Sequence, residues 1–190
     1  ACMVIEKEAT GFDFPSATTT FLSPQSDPMI GWMRTKPSYE EEYVPDEPVA
    51  TPSKYGEGYT FPALFHVGDN WALVSETGVR SLYCASHLSD ATKDGLYSIA
   101  FPNPGEMNGL GSSTPGLALP GVTPWRTITV GSGLKPIVET TVPFDVVEPL
   151  YEPSQEYKFG RSTWSWTMWQ DPSINYDDQI RFIDLASEMG

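Results

Sequence analysis

The chain has 190 residues, with 18 Pro, 16 Gly, 6 Trp, 9 Tyr, 9 Phe and only 2 Cys, and 11 basic against 25 acidic side chains give it a net charge of −14. A hydrophobic content of 39% supplies enough apolar material to fold, which excludes wholesale disorder, and Pro plus Gly fall short of the roughly 25–30% of low-complexity chains. The acidic balance excludes a nucleic-acid binder, since each phosphate contact needs a Lys or Arg and the 11 available are scattered, and no apolar run of about 18 residues exists to span a membrane.

Along the chain, most segments read as short strands. The opening residues, Ala1 to Lys7, lack the basic and apolar regions of a signal peptide. Residues 45–58 mix acids, Pro and Gly and read as a surface loop, preceded by the Glu40, Glu41, Glu42 run, read as a solvated face. In 70–76, Trp71 and Leu73 alternate with Ala72, Val74 and Glu76, a buried run of strand length ending in a carboxylate. Gly78 is expected to turn the chain into 79–84, forming a hairpin. Residues 102–121 read as a long connection, and its Gly109-Leu110-Gly111 lacks the context of a phosphate loop. The β-branched runs 126–131 and 137–142 add two more expected strands, giving an antiparallel all-β region.

The character changes near the end. Residues 161–169, with Trp164, Trp166 and Trp169, read as an aromatic strand, and Gln170-Asp171-Pro172 breaks it. Asn175 is a fitting N-cap, Asp177 and Asp178 favour the positive end of a helix, and Phe182, Ile183, Ala186 and Met189 recur at helical spacing before Gly190. A strand followed at once by an amphipathic helix is the opening of a βα repeat, and a complete barrel needs about 250 residues. The expected division is therefore a partial sandwich over 1–157 and the first βα unit of a barrel over 158–190.

Four segments in order resemble glycoside hydrolase family 97: Glu8 to Pro15, similar to a Glu-x-Thr-x-Phe strand; Trp71 to Leu88; Thr123-Pro124-Trp125-Arg126-Thr127-Ile128; and Lys158 to Trp166 together with Ile183 to Gly190. Thr77 and Gly78 stand where the family has Ala-Asp, and Cys84-Ala85-Ser86 where it has Pro-Gly-Met. The resemblance implies an antiparallel β-super-sandwich, present in part, followed by the first strand and helix of a (β/α)8 barrel, in a calcium-dependent α-glucosidase or α-galactosidase exported by a bacterium to the periplasm or beyond. The sandwich then begins upstream of Ala1 and the barrel continues past Gly190. The catalytic carboxyls, whose spacing decides inversion or retention, fall outside the chain, so the 190 residues by themselves are expected to be inactive.

What the resemblance assigns within the chain is small. Glu76 matches a sandwich glutamate that ligates calcium; without the resemblance it reads as an exposed Glu at a hairpin end. Trp166 and Trp169 are candidates to line the pocket for an oligosaccharide or other α-glycoside, with core packing as the other reading of the Trp cluster. Arg126 reads as a salt-bridge partner rather than a catalytic group. His66 and His87 read as structural, and Cys2 and Cys84 as unpaired thiols with Cys84 buried. Two further readings of another class stay open: a stand-alone carbohydrate-binding sandwich and a structural interaction domain.

Overall fold

The computed structural model describes residues 1–25, 43–106, 112–156, 158, 160, 162–166 and 171–190. The acidic run at 40–42, the Gly109–Gly111 stretch, Arg161 and Trp169 lie outside them. The chain forms two compact units, Ala1–Glu148 and Pro149–Gly190.

The first unit is antiparallel β throughout. Its strands are β1 (Cys2–Val4), β2 (Gly11–Asp13), β3 (Thr19–Leu22), β4 (Val44–Pro48), β5 (Ala63–Val67), β6 (Asn70–Thr77), β7 (His87–Leu88), β8 (Leu96–Ala100), β9 (Gly116–Ala118) and β10 (Trp125–Gly131). They make a five-stranded sheet in the order β10-β6-β5-β3-β4, a three-stranded sheet β2-β8-β7, and the pair β1-β9. One continuous core lies between the two larger sheets. The five-stranded sheet contributes Leu22, Ala63, Phe65, Ala72 and Val74, and the three-stranded sheet Phe12, Leu88, Tyr97 and Ile99. The β6 alternation read from the sequence is observed: Ala72 and Val74 are buried, and Trp71 and Leu73 are half-buried on the other face, where Trp71 stacks on His66 at 4.2 Å between ring centroids. Phe65 is sealed between Phe14, stacked at 3.9 Å, and the edge of Tyr97 at 5.4 Å.

Tyr59 joins the two sheets. Its backbone exchanges two 2.8 Å hydrogen bonds with Leu88 of β7 and bridges Pro24, next to β3, on its other side. The preceding Gly58 has φ +88, and a β-carbon there would strike the Leu88 carbonyl, so only glycine permits the approach.

In the first unit four expected elements are corrected. Residues 79–84 form no hairpin with β6, because both edges of β6 are taken, by β5 and by β10. The chain instead makes a tight turn, Tyr83 N–H to Arg80 C=O at 2.8 Å. The run 137–142 is not a strand: α1 (Leu134–Val138) and α2 (Val142–Asp145) occupy this region, with Pro136 and Pro143 in their first turns. Proline cannot donate to a ladder but is pre-set for a helix start, and that decides against the β-branched propensity. Within 45–58, the expected loop begins with edge strand β4, paired to β3. The connection 102–121 likewise contributes β9, which pairs with β1.

In the second unit, α3 (Tyr176–Met189) follows the sequence reading closely. Asn175 Oδ1 accepts the Asp178 N–H at 3.0 Å, Asp177 and Asp178 occupy the first turn, and Gly190 closes the helix at φ +84. The expected aromatic strand does not form over 162–166. Its buried Ser165 is pinned instead, its hydroxyl accepting from Gln179 Nε2 at 2.6 Å and its carbonyl from Ser173 Oγ at 3.1 Å, and no ladder partner is present among the described residues.

Two measurements check this fold. Phe65→Ala removes the most enclosed ring of the core and is expected to cost about 3–5 kcal/mol in urea melts. His87 is buried in β7, and burial holds its imidazole below the ordinary value, against a weaker opposing contact from the Glu57 backbone. The unfolded chain therefore binds a proton that the folded chain refuses, so this contribution is complete above pH about 6.5 and is lost as the pH falls below it. His87→Gln is expected to flatten the decline in stability between pH 7.5 and 5.5; an unchanged slope contradicts it.

Candidate functional site

The antiparallel register of β6 and β10 sets Arg126 directly opposite Glu76, so both side chains leave the sheet on one face. In β6 that face carries the buried Ala72 and Val74, whereas in β10 it carries Ile128 and Val130, which are exposed. Arg126 Nη1 lies 2.7 Å from Glu76 Oε2 and its Nη2 lies 2.9 Å from Glu8 Oε2. Only 7% of the Glu76 side chain, 7% of Arg126 and 11% of Glu8 are exposed. Charges removed from water to this degree persist only when paired, and a guanidinium forked between two carboxylates supplies that pairing.

The loop after β6 closes the cluster. Ser86 donates its N–H to Glu76 Oε1 at 3.1 Å and its hydroxyl to Glu76 Oε2. Tyr83 donates its phenol to Glu8 Oε2 at 3.0 Å. Burial, and then that hydrogen bond, push the Tyr83 phenol well above its usual range, so it stays a donor. Cys84 is half-buried rather than buried; burial, reinforced by the charges of Glu76 and Glu8, pushes its thiol up to about 11. A protonated thiol there is a poor nucleophile. Arg126 Nε is buried with no partner among the described residues.

Glu76 is therefore not the exposed hairpin end that its position alone suggested, and the expected salt bridge of Arg126 is doubled. Sequence reasoning missed Glu8, Tyr83 and Ser86 as members of the cluster. Glu8 stands 118 residues from Arg126 and Tyr83 stands 75 from Glu8, and no local spacing carries such pairings. Trp166 is half-buried in the second unit, its indole N–H donated to Asp171 Oδ1 at 3.1 Å and its ring stacked with Trp164 at 5.8 Å. His66 and His87 sit in strands β5 and β7, in packing roles.

A carboxylate offers about four lone-pair sites, and the Ser86 donors and Arg126 occupy three of those on Glu76. One remains, on Oε1. Glu8, Arg126 and Glu76 together carry one net negative charge. Glu76 thus fits calcium as the donor of a single oxygen, against the 6–8 that the ion takes. Among the described residues, no group of three or more His, Cys, Asp or Glu is placed to hold a metal. No helix among them is long and apolar enough to cross a membrane.

Removing the central cation should be far worse than removing the whole cluster. Arg126→Ala leaves two buried carboxylates facing each other and is expected to cost about 3–5 kcal/mol in urea melts. The triple change Glu8→Gln, Arg126→Met, Glu76→Gln is expected to cost less than that single one; the opposite order would contradict the buried-triad geometry.

Comparison with known proteins agrees with this architecture. No curated protein matches the chain. A solved structure, described as the crystal structure of a beta-arabinopyranosidase, is 65% identical over the whole chain with a TM-score of 0.88, and the chain spans 30% of that protein's length. A family model described as Glycosyl-hydrolase 97 N-terminal matches residues 1–149, which contain the sandwich and the Glu8–Arg126–Glu76 cluster. With three-quarters of its length covered by that model, the chain belongs to glycoside hydrolase family 97, and residues 1–149 lie in the family's N-terminal domain.

Proposed function

We propose that the chain is the sandwich-bearing part of a glycoside hydrolase that cleaves α-galactoside-configured pyranosides, β-L-arabinopyranosides among them. The observation that carries this reading is the 65% identity, over the whole chain, to a protein described as a beta-arabinopyranosidase. In the L series, a β-arabinopyranoside has the ring configuration of an α-D-galactopyranoside with the C6 hydroxymethyl group removed. The relative's name and the expected α-galactosidase type therefore describe one stereochemistry at the reacting carbon and at C4, whereas an α-glucoside differs at C4.

The acid and the base or nucleophile of the reaction belong, in this reading, to the catalytic barrel beyond residue 190. The second unit is its opening. Support comes from α3, which has no buried residue and exposes Ile180 and Ile183 on one face, an apolar pair that suits packing against further barrel elements. Trp166 and Trp169 are proposed to face the sugar at the barrel mouth.

The sandwich shapes the rim of the pocket and supplies Glu76 as one calcium ligand, through the remaining lone pair on Oε1. Calcium, when bound, orients and polarises the site. Glu76 holds its place by its bonds to Ser86 and Arg126, and this burial keeps water from the carboxylate.

Nitrophenyl glycosides test the reading. The parent polypeptide is expected to hydrolyse β-L-arabinopyranoside and α-D-galactopyranoside, and α-D-glucopyranoside at least about a hundredfold less well, because C4 recognition rests on a hydrogen-bonded hydroxyl. The 190-residue chain alone is expected to hydrolyse none of the three. Preference for the glucoside, or turnover by the isolated chain, overturns it.

A further inference from the structure

We infer that Glu8, Tyr83 and Ser86 are positioning residues for Glu76, acting directly or through Arg126, so that a single oxygen of that carboxylate is presented to calcium. The inference rests on the proposed reading of Glu76 as a calcium ligand and adds the residues that make it one.

A glutamate side chain has three rotatable bonds, and fixing them costs rotamer freedom. Here the carboxylate is held at both oxygens. Ser86 contacts Oε1 through its N–H and Oε2 through its hydroxyl, which sets the carboxylate plane, while Arg126 pulls on Oε2 alone. The result is asymmetric: Oε2 is fully engaged and Oε1 carries one bond. Arg126 is itself aimed. Without Glu8 its second nitrogen would have no carboxylate partner, and Glu8 is fixed in turn by the Tyr83 phenol on the same Oε2 that meets the guanidinium.

Charge gives Glu8 a second effect. Glu76 and Arg126 alone are a neutral pair with no attraction for a cation. Adding Glu8 leaves one uncompensated negative charge in a group of which at most about a tenth is exposed, where water screens poorly. Glu8 thus restores at Oε1 of Glu76 the negative potential that Arg126 would otherwise cancel.

Calcium titration of the parent polypeptide in a calorimeter tests this without reference to turnover. Tyr83→Phe and Glu8→Gln are each expected to weaken calcium binding by roughly tenfold or more, the usual effect of losing a residue that orients a metal ligand. Glu76→Gln serves as the reference and is expected to weaken it further. Melting curves without calcium accompany each variant, because a purely structural role lowers the melting temperature but leaves the affinity of the folded protein unchanged. If Glu76→Gln weakens binding while Glu8→Gln and Tyr83→Phe retain the wild-type affinity, the positioning role is wrong and the ligand reading stands. If Glu76→Gln itself leaves the affinity unchanged, both fail. Should Glu8→Gln not fold, Tyr83→Phe, which removes one hydroxyl, decides alone.

Discussion

The pairing of β6 with β10 is the constraint on which the rest of the molecule depends. Its register places Arg126 opposite Glu76 on the core face, and a slip by one residue would turn one of them to the other side of the sheet. That change would leave a carboxylate or a guanidinium buried without its partner, a cost of several kcal/mol. The ion cluster therefore works as a register pin. It rewards one alignment of the two strands and penalises its neighbours, in a sheet whose short β-branched runs would tolerate several.

Once β6 is held between β5 and β10, the course of the following chain is determined. Residues 79–84 find no strand edge open, turn, and return Tyr83 and Ser86 to the carboxylates before entering β7. From β7, Leu88 reaches Tyr59, so the loop that closes the charge cluster is continuous with the bridge that joins the two sheets. The polar cluster and the apolar core are consecutive stretches of one path. The stretch from Glu76 to Leu88 is continuous in sequence, while the contacts that anchor its two ends, Arg126 to Glu76 and Leu88 to Tyr59, are long-range.

Much of this was legible in the residues. The β6 alternation, the β10 run, the α3 boundaries and the Asn175 cap all follow from local rules, and structure and sequence agree there because nothing non-local competes. Where they part, an identifiable competitor acts. Pro136 and Pro143 override the β-branched residues around them, since a missing N–H outweighs a modest propensity. The 79–84 segment has acceptable strand character but no partner, and partner availability is a property of the whole sheet. The site divides in the same way. Glu76 stood out as a carboxylate closing an apolar strand, but its company did not, because Glu8 and Arg126 meet only after the sheet has formed. The Trp164 to Trp166 stretch shows the limit of alternation, which places two rings on one side whether or not a strand exists.

β10 is the last strand of its sheet among the described residues, and it carries exposed apolar side chains on one face: Ile128 and Val130 are 54% and 64% exposed. An edge of that kind is a template for another strand, and a second copy of the chain offers the same edge. The net charge of −14 opposes such an encounter, since two like-charged bodies must approach within a few ångströms for their backbones to pair. Colloidal behaviour of the isolated chain is thus a balance between a sticky edge and a repelling surface. Salt shifts it toward association, because at about 0.1 M the repulsion is screened beyond roughly 10 Å while the edge is unaffected.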